Sequence, residues 1–414
     1  MRKVVNWDFI FELTKKILEL GNKYREKPPV NRVEPFKHYF SETGEIKYDE
    51  LDALDYEFTR REILARYLLV NVVLDQGPDM LGVRELLKSV TINLYKRGFR
   101  IFHRPLDFFE KIDATINEIL TEHERIKGVR AELWAKENQT KSSKYNLFFA
   151  QSTRGLVPIK QVLDYTIHRW GVPLSLFMLL EKDNAKRGVK SSQPFVDYLE
   201  EHDSAEIMAR QLKDNERYGL GSAIGDKACH LFAKMYVSIF KLVKSKVNDK
   251  GWTDISYEIP FDSNAGRVLF RTGFLLELAS LKDYEDWNVI QRGIGKGKRH
   301  YIRVTNIRGK KIRMISFESE ILGEYGNIVK NYLKIARQSP KSIEIQHIPN
   351  LLVYRIGVLE GKQRFSVADF DDGLICIGTR YCFNHPNPNC ENCPVKDLCR
   401  GHNEKTDLIK NYVT

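Results

Sequence analysis

The chain has 414 residues, of which 42% are hydrophobic and 29% charged, with a formal net charge of +11 and a sequence pI of about 9.1. That length allows two or three compact units with a sizeable core. It holds no apolar run of membrane-spanning length, the longest being residues 63–74. The N-terminus alternates apolar and charged residues without a cleavage pattern, so the reading is a soluble, intracellular protein. Surplus cations favour a polyanionic partner, nucleic acid first.

In chain order, residues 1–58 read as a helical N-terminal extension, and "REILARYLLVNVVLDQGPD" as a helix running up to Gln76 and its turn. Residues 104–146 carry no clear motif, and "KENQTKSSKY" at 136–145 is a polar loop. A helix is predicted from Asp203, with Glu206 completing a capping box, to about Asn215. The hairpin "GLGSAIGDK" follows, then a second helix from Asp226, an acid suited to a helix N-terminus. Its apolar stripe is Ala228, Leu231, Phe232, Met235, Ile239 and Val243, with Lys227, Lys234, Lys241 and Lys244 off it. Glycines in such a hairpin allow close backbone approach, and N–H groups at the helix start suit an anion.

After the loop "VNDKGWTDISYEIP", Asp262 is placed to cap a helix. From Arg292 to Arg313 there are nine Lys/Arg and no acid, including Lys296, Lys298 and Arg299 in a glycine-spaced run. Such a stretch suits phosphate neutralisation. "GIGKGK" has the wrong spacing for a P-loop. "HYIRVTNIRGKKIRMISF" alternates like a β-hairpin around "NIRGKK". "EILGEYGNIVKNYLKIARQ" reads as a helix, and "IEIQHI" and "LLVYRIGVLE" as strands.

Four of the six cysteines, Cys382, Cys390, Cys393 and Cys399, form a C-x7-C-x2-C-x5-C pattern. In an intracellular chain, clustered thiols hold metal rather than disulfides. All-thiolate ligation suits zinc or an iron–sulfur cluster, and the spacing admits both. His385 reads as an exposed loop residue and Cys376 as a small buried one.

"GTRYCFNHPNPNCENCPVKDLC" resembles the C-terminal [4Fe-4S] loop of the endonuclease III family of DNA glycosylases, with one extra residue in the first gap. Upstream segments resemble that family in its own order. Gln76 stands where the family has the glutamine that fills the gap left by an extruded nucleotide. "GSAIGDKAC" resembles the helix-hairpin-helix, with Ser222-Ala223 for Pro-Gly. "IPFDSNAGRV" resembles its Val-Asp-Thr-His-x-x-Arg-Val segment. The likeness runs, with interruptions, from about residue 60 to 402.

The resemblance implies a mainly α, HhH-GPD fold with a C-terminal iron–sulfur loop and a small α+β insertion. The corresponding segments are 1–58, a 59–285 core, a 286–370 basic insertion, and 371–414 with the cluster loop. It implies a DNA glycosylase of base excision type that flips its target nucleotide, a monomer acting on double-stranded DNA, nucleoid-associated or nuclear. Lys227 would attack C1′ as a Schiff-base nucleophile and Asp262 would stabilise the oxocarbenium charge. Gln76, Gly221, Ala223, Gly225, Lys396 and Arg400, with Lys296, Lys298 and Arg299, would contact DNA. The cofactor would be a [4Fe-4S] cluster, with zinc as the alternative. A non-catalytic iron–sulfur DNA-binding protein on the same scaffold, or a zinc-stabilised nucleic-acid-binding protein, stands as the alternative function.

Overall fold

A computed structural model describes residues 5–26, 58–74, 101–106, 172–243, 252–253, 255–294, 300–304, 307–313, 334, 338–339, 342–359, 365–382 and 388–404. The chain divides into two compact units, one formed by residues 1–27 with 251–414, the other by residues 28–250. The segments expected from sequence break at 58/59, 285/286 and 370/371, whereas the first unit joins the two ends of the chain. Among the described residues, the architecture is mainly helical with two small antiparallel strand pairs. Among the described residues, no helix is long and apolar enough to cross a membrane.

The first unit opens with α1 (Trp7–Glu26). The second unit holds α2 (Arg60–Leu74), α3 (Val172–Lys186), α4 (Pro194–Glu200), α5 (Ala205–Asp214) and α6 (Asp226–Lys234). The first unit resumes with α7 (Ser263–Arg271), α8 (Phe274–Leu278), α9 (Leu281–Asp286), β1 (Ile290–Ile294), β2 (His300–Val304), β3 (Lys311–Arg313) and β4 (Ser342–Glu344). It closes with α10 (Ile348–Leu359), α11 (Val367–Arg380) and the short α12 (Arg400–Asn403).

In α1 the buried residues Trp7, Ile10, Leu13, Thr14, Ile17 and Leu18 recur at three and four, while Asp8, Glu12, Lys16, Glu19 and Lys23 lie off that stripe. The single apolar stripe packs on α11. The two helices approach so closely that a Cβ on Gly373 would run into the Ile17 carbonyl oxygen, and one on Gly21 into the Asp369 carbonyl oxygen. Only glycine fits either position. Ser366 and Asp369 form a reciprocal capping box at the start of α11. Asn350 fastens α10 to the irregular 255–260 segment, donating to the carbonyls of Ile255 (3.1 Å) and Tyr257 (2.5 Å).

In the second unit, residues 62–73 of α2 are buried all round. A guanidinium in that core needs partners. Arg66 has them: Glu62 Oε1 at 2.7 Å, Glu181 Oε1 at 2.7 Å, the Phe102 carbonyl at 3.1 Å, and the rings of Phe58 and Phe177. Glu62 in turn accepts from the backbone N–H groups of Phe195 and Val196 and so supplies the acceptors at the start of α4.

Several sequence expectations are corrected. Strand 300–304 does not pair across the Ile307–Lys310 turn. β2 pairs with β1 instead, in register Ile290↔Val304 to Ile294↔His300, and β3 pairs with β4, where Ile312 faces Ile343. Alternation marks a strand, whereas its partner is set by which apolar residues can be buried together. Residues 351–359, read as a strand, are helical in α10; Pro349 lies in the first turn, where its fixed φ favours helix. The cap of α5 is Ser204, whose side chain accepts from the Ile207 N–H, rather than Asp203. Lys234 is buried rather than off the packed face, and α6 gives way to a π-helical turn at Met235–Ile239. The helix expected over 320–338 falls almost wholly outside the described residues, and the polar loop 136–145 falls wholly outside them.

The α1–α11 crossing yields a test. Gly373→Ala should destabilise the protein by about 1–3 kcal/mol through overpacking, seen as a lower urea midpoint. An unchanged midpoint would show that the helices separate freely.

Candidate functional site

The thiols gather through backbone turns. α11 ends with the N–H groups of Tyr381 and Cys382 both donating to the Ile377 carbonyl, at 3.0 and 2.8 Å. The Asn389 N–H donates to the Tyr381 carbonyl at 2.8 Å, which folds the loop back and sets Cys390 near Cys382. The Cys393 N–H donates to the Cys390 carbonyl at 3.0 Å, closing the C-x2-C turn. A 3-10 turn over Lys396–Leu398 then delivers Cys399, whose carbonyl accepts from the N–H groups of His402 and Asn403. The side chains of Asn392 and Asn403, donating to the Asn389 side-chain oxygen and the Asp397 carbonyl, brace the loop.

All four cysteines are half-buried. Burial pushes the Cys393 thiol up to about 12, with the other three cysteine sulfurs adding to the shift, and Cys399 up to about 11 by burial with Cys382 and Cys390. Cys390 is raised by burial and by Cys382. The four sulfurs therefore share one electrostatic neighbourhood. Among the described residues, no three of them lie within 4.8 Å of one another. The set is chemically all-thiolate, which fits zinc or an iron–sulfur cluster.

Helix α7 joins this loop to the predicted carboxylate. Asp262 is its N-cap: Oδ1 accepts from the N–H groups of Asn264 and Ala265, both at 2.9 Å. One turn on, Arg267 is buried and donates from Nε to the Cys382 carbonyl (2.9 Å) and from one terminal nitrogen to Asn264 Oδ1 (2.5 Å) and the Gly378 carbonyl (3.2 Å). Arg271 reaches Cys382 Sγ at 3.5 Å, and its carbonyl accepts from Cys399 Sγ at 3.6 Å. One helix thus carries Asp262 at its start and contacts the first and last cysteines further along.

Of the loop cations, Lys396 Nζ donates to the Glu391 carbonyl at 2.9 Å and its side chain is 39% exposed. Arg400 pairs with buried Glu277, lies over the Phe9 ring at 4.6 Å, and its N–H donates to the Thr272 carbonyl at 3.2 Å. Glu277 also accepts from the Asn6 N–H at 2.9 Å, so Arg400 is tied to the chain's N-terminal helix.

The hairpin lies in the second unit between α5 and α6. Gly221 has φ of +53°, while Ala223 lies in a 3-10 turn and is not among the positive-φ residues. The left-handed residue is thus Gly221, so Ala at 223 meets no backbone penalty. Gly225 is extended and exposed, and a Cβ there would meet nothing. Its exposed face leaves the backbone open to a ligand. Lys227 stands half-buried in the first turn of α6. Its neighbour Asp226 pairs with Lys213 of α5 at 2.9 Å.

The candidate residues are divided between the units: Lys227 and the hairpin belong to the second, Asp262 and the four cysteines to the first. Gln76, Lys296, Lys298, Arg299 and His385 lie outside the described residues. β1 and β2 flank the 295–299 segment, and β2 ends at α7, where Val304 packs on Gly266. Sequence reasoning missed Arg267, Arg271, Glu277 and the Asn264–Arg267 contact. The one available signal was Arg267, which matches the arginine of the quoted family segment.

Arg267→Lys removes a planar fork that one ammonium cannot replace. In the metal-free protein it should speed labelling of Cys382 and Cys390 by a thiol reagent by about tenfold or more, the equivalent of one charge-assisted hydrogen bond; equal rates would detach Arg267 from the loop. No family model, curated protein or solved structure matches the chain.

Proposed function

We propose that the chain is an iron–sulfur DNA glycosylase of base excision type, with abasic-site lyase activity through Lys227. The observation that carries this reading is α7, which links the capping carboxylate Asp262 to the four-thiol loop through Asn264 and Arg267. The open backbone at Gly225, the net charge of +11 and the cationic 292–313 stretch add a preference for phosphate.

Cys382, Cys390, Cys393 and Cys399 would hold the cluster. Thiolates alone suit zinc as well. The sequence around them, from Gly378-Thr379-Arg380-Tyr381 to Asp397-Leu398-Cys399, favours the cluster through the family it resembles. Bound there, the cluster would supply ligation that fixes the loop.

The chemistry falls to side chains. In its neutral form, Lys227 Nζ bonds to C1′ as the C1′–N bond breaks, and the base leaves with that electron pair and takes up a proton. The Asp262 carboxylate stabilises the cationic sugar. Opening of the sugar ring leaves an iminium on Lys227 from which β-elimination cuts the strand. The duplex must first release the target nucleotide, and Gln76 would fill the gap that it leaves.

Two experiments test the reading. Protein mixed with a duplex carrying one abasic site and reduced with borohydride should give a covalent adduct. Lys227→Ala should lose the adduct yet bind the duplex within about twofold of wild type, and equal trapping by the mutant would remove Lys227 from its role. Purified protein should also contain iron and acid-labile sulfide; colourless protein with stoichiometric zinc would overturn the cluster. Separately, neutralising Lys296, Lys298 and Arg299 should weaken duplex binding and lower the slope of log K against log salt by about 0.9 for each phosphate no longer neutralised. An unchanged slope would place that stretch away from DNA.

A further inference from the structure

A hairpin that grips a phosphate needs its backbone held still, and the turn leading into it is held by an aspartate from a distant helix. Asp183, near the end of α3, is buried, with a side chain 9% exposed. It takes Arg217 in a bidentate fork, Nε to Oδ2 at 2.5 Å and a terminal nitrogen to Oδ1 at 2.7 Å, and accepts from Tyr218 Oη at 3.0 Å. The Arg217 hydrogen bonds hold its carboxyl below the usual carboxylate range. Arg217 and Tyr218 lie in the turn between α5 and the hairpin, thirty-four and thirty-five positions from Asp183.

The same turn is fixed from within. Asn215 Oδ1 accepts from the N–H groups of Arg217 (3.0 Å) and Tyr218 (2.8 Å), a side-chain turn closed on the backbone. The Leu220 N–H returns to the Leu212 carbonyl at 2.8 Å, immediately before Gly221 takes its left-handed conformation. The Tyr218 ring stands edge-on to Tyr198 of α4 at 5.2 Å. Among the described residues, the hydrogen bonds that fasten the turn to α3 are those of Asp183. α5 is held separately, by Tyr198 Oη donating to the Gln211 carbonyl at 3.4 Å and by packing on α6, so loss of that carboxylate frees the turn rather than the helix.

We propose that Asp183 is the positioning residue of the hairpin, locking the Arg217–Tyr218 turn to α3 so that the Gly221–Gly225 backbone meets a DNA phosphate in one fixed attitude. This rests on the duplex-binding reading above. Asp183 itself touches no phosphate; it acts by lowering the ordering cost of binding.

The test uses the full chain and a duplex with one abasic site, with affinity followed by fluorescence anisotropy over a salt series. Asp183→Ala and Asp183→Asn should each weaken binding by about tenfold, the scale of one charge-assisted hydrogen bond. Asp183→Glu should recover most of that loss, because a carboxylate again meets the guanidinium fork. The salt slope should stay at its wild-type value in all three, and hydrogen exchange across 215–225 should quicken in the Ala and Asn variants only. Wild-type affinity in Asp183→Ala overturns the inference, as does a loss that Asp183→Glu fails to recover or a slope that falls. Wild type that does not bind the duplex overturns the functional reading and this inference with it.

Discussion

A buried guanidinium must place its donors on acceptors, and Arg267 places its own on three parts of the first unit at once. It bonds the carbonyl of Cys382 in the thiol loop, the carbonyl of Gly378 in the last turns of α11, and the side chain of Asn264 in the first turn of its own helix. Burial lowers its pKa, but the group stays charged, so these bonds cannot be left unmade without a cost of about 1–3 kcal/mol each. The position of Cys382 is therefore fixed from α7 as well as from its own helix. The amide side chain of Asn264, close to Asp262, is fixed by the same group. Movement of the thiol loop is felt at the carboxylate's end of α7, and that coupling is a property of covalent and hydrogen-bonded geometry.

The second unit solves a different problem by similar means. A hairpin that met a phosphate, as proposed for this one, would have to be open where the ligand approaches and rigid everywhere else. Gly225 supplies the opening, and Gly221 the left-handed turn. Rigidity comes from charged groups at the flanks: Lys213 to Asp226 across the hairpin, and Asp183 to Arg217 at the entry. Asp226 would repel an anion at the helix start, and Lys213 offsets it. The Lys213–Asp226 pair is half exposed and so worth little as stability; its effect is on the local field.

Much of this was legible in the sequence because it is written in spacing. The cysteine pattern, the start of α6 at Asp226 and the capping role of Asp262 all follow from local rules that need no tertiary knowledge. What failed was anything decided at a distance. β2 carries the right alternation, but its partner is β1, and Val304 at its end lands on Gly266 of α7. Residues 351–359 are apolar enough for either strand or helix, and Pro349 in the first turn favours helix. The Ser222-Ala223 replacement departs from the family's Pro-Gly pair, yet the chain puts its left-handed residue at Gly221, where no side chain is strained. Asp183 was invisible as an organiser, since a single Asp in a sequence is nearly always a surface residue, and Arg267 showed only as the arginine of the quoted segment, without its partners.

The thiol loop has little of its own to hold it in shape. Between residues 388 and 404, Val395 and Gly401 are the buried positions. Ordering a backbone costs about 1–2 kcal/mol per residue, and one valine with one glycine cannot offset that for such a stretch. The ties to Thr272, Glu277 and Arg271 hold its C-terminal end, and Arg267 holds the residue that enters it. The middle, around Cys390 and Cys393, is held by backbone turns and amide braces. Burial also raises the Cys390 and Cys393 thiols, which works against the thiolate form in which cysteine ligates. A metal centre held by the four thiols would answer both needs with one set of bonds: it would draw the protons off the sulfurs and crosslink the middle of the loop to ends that the protein already holds. The basic residues carried there, Lys396 and His402 among them, would then be presented on a surface whose rigidity came from ligation rather than from a core.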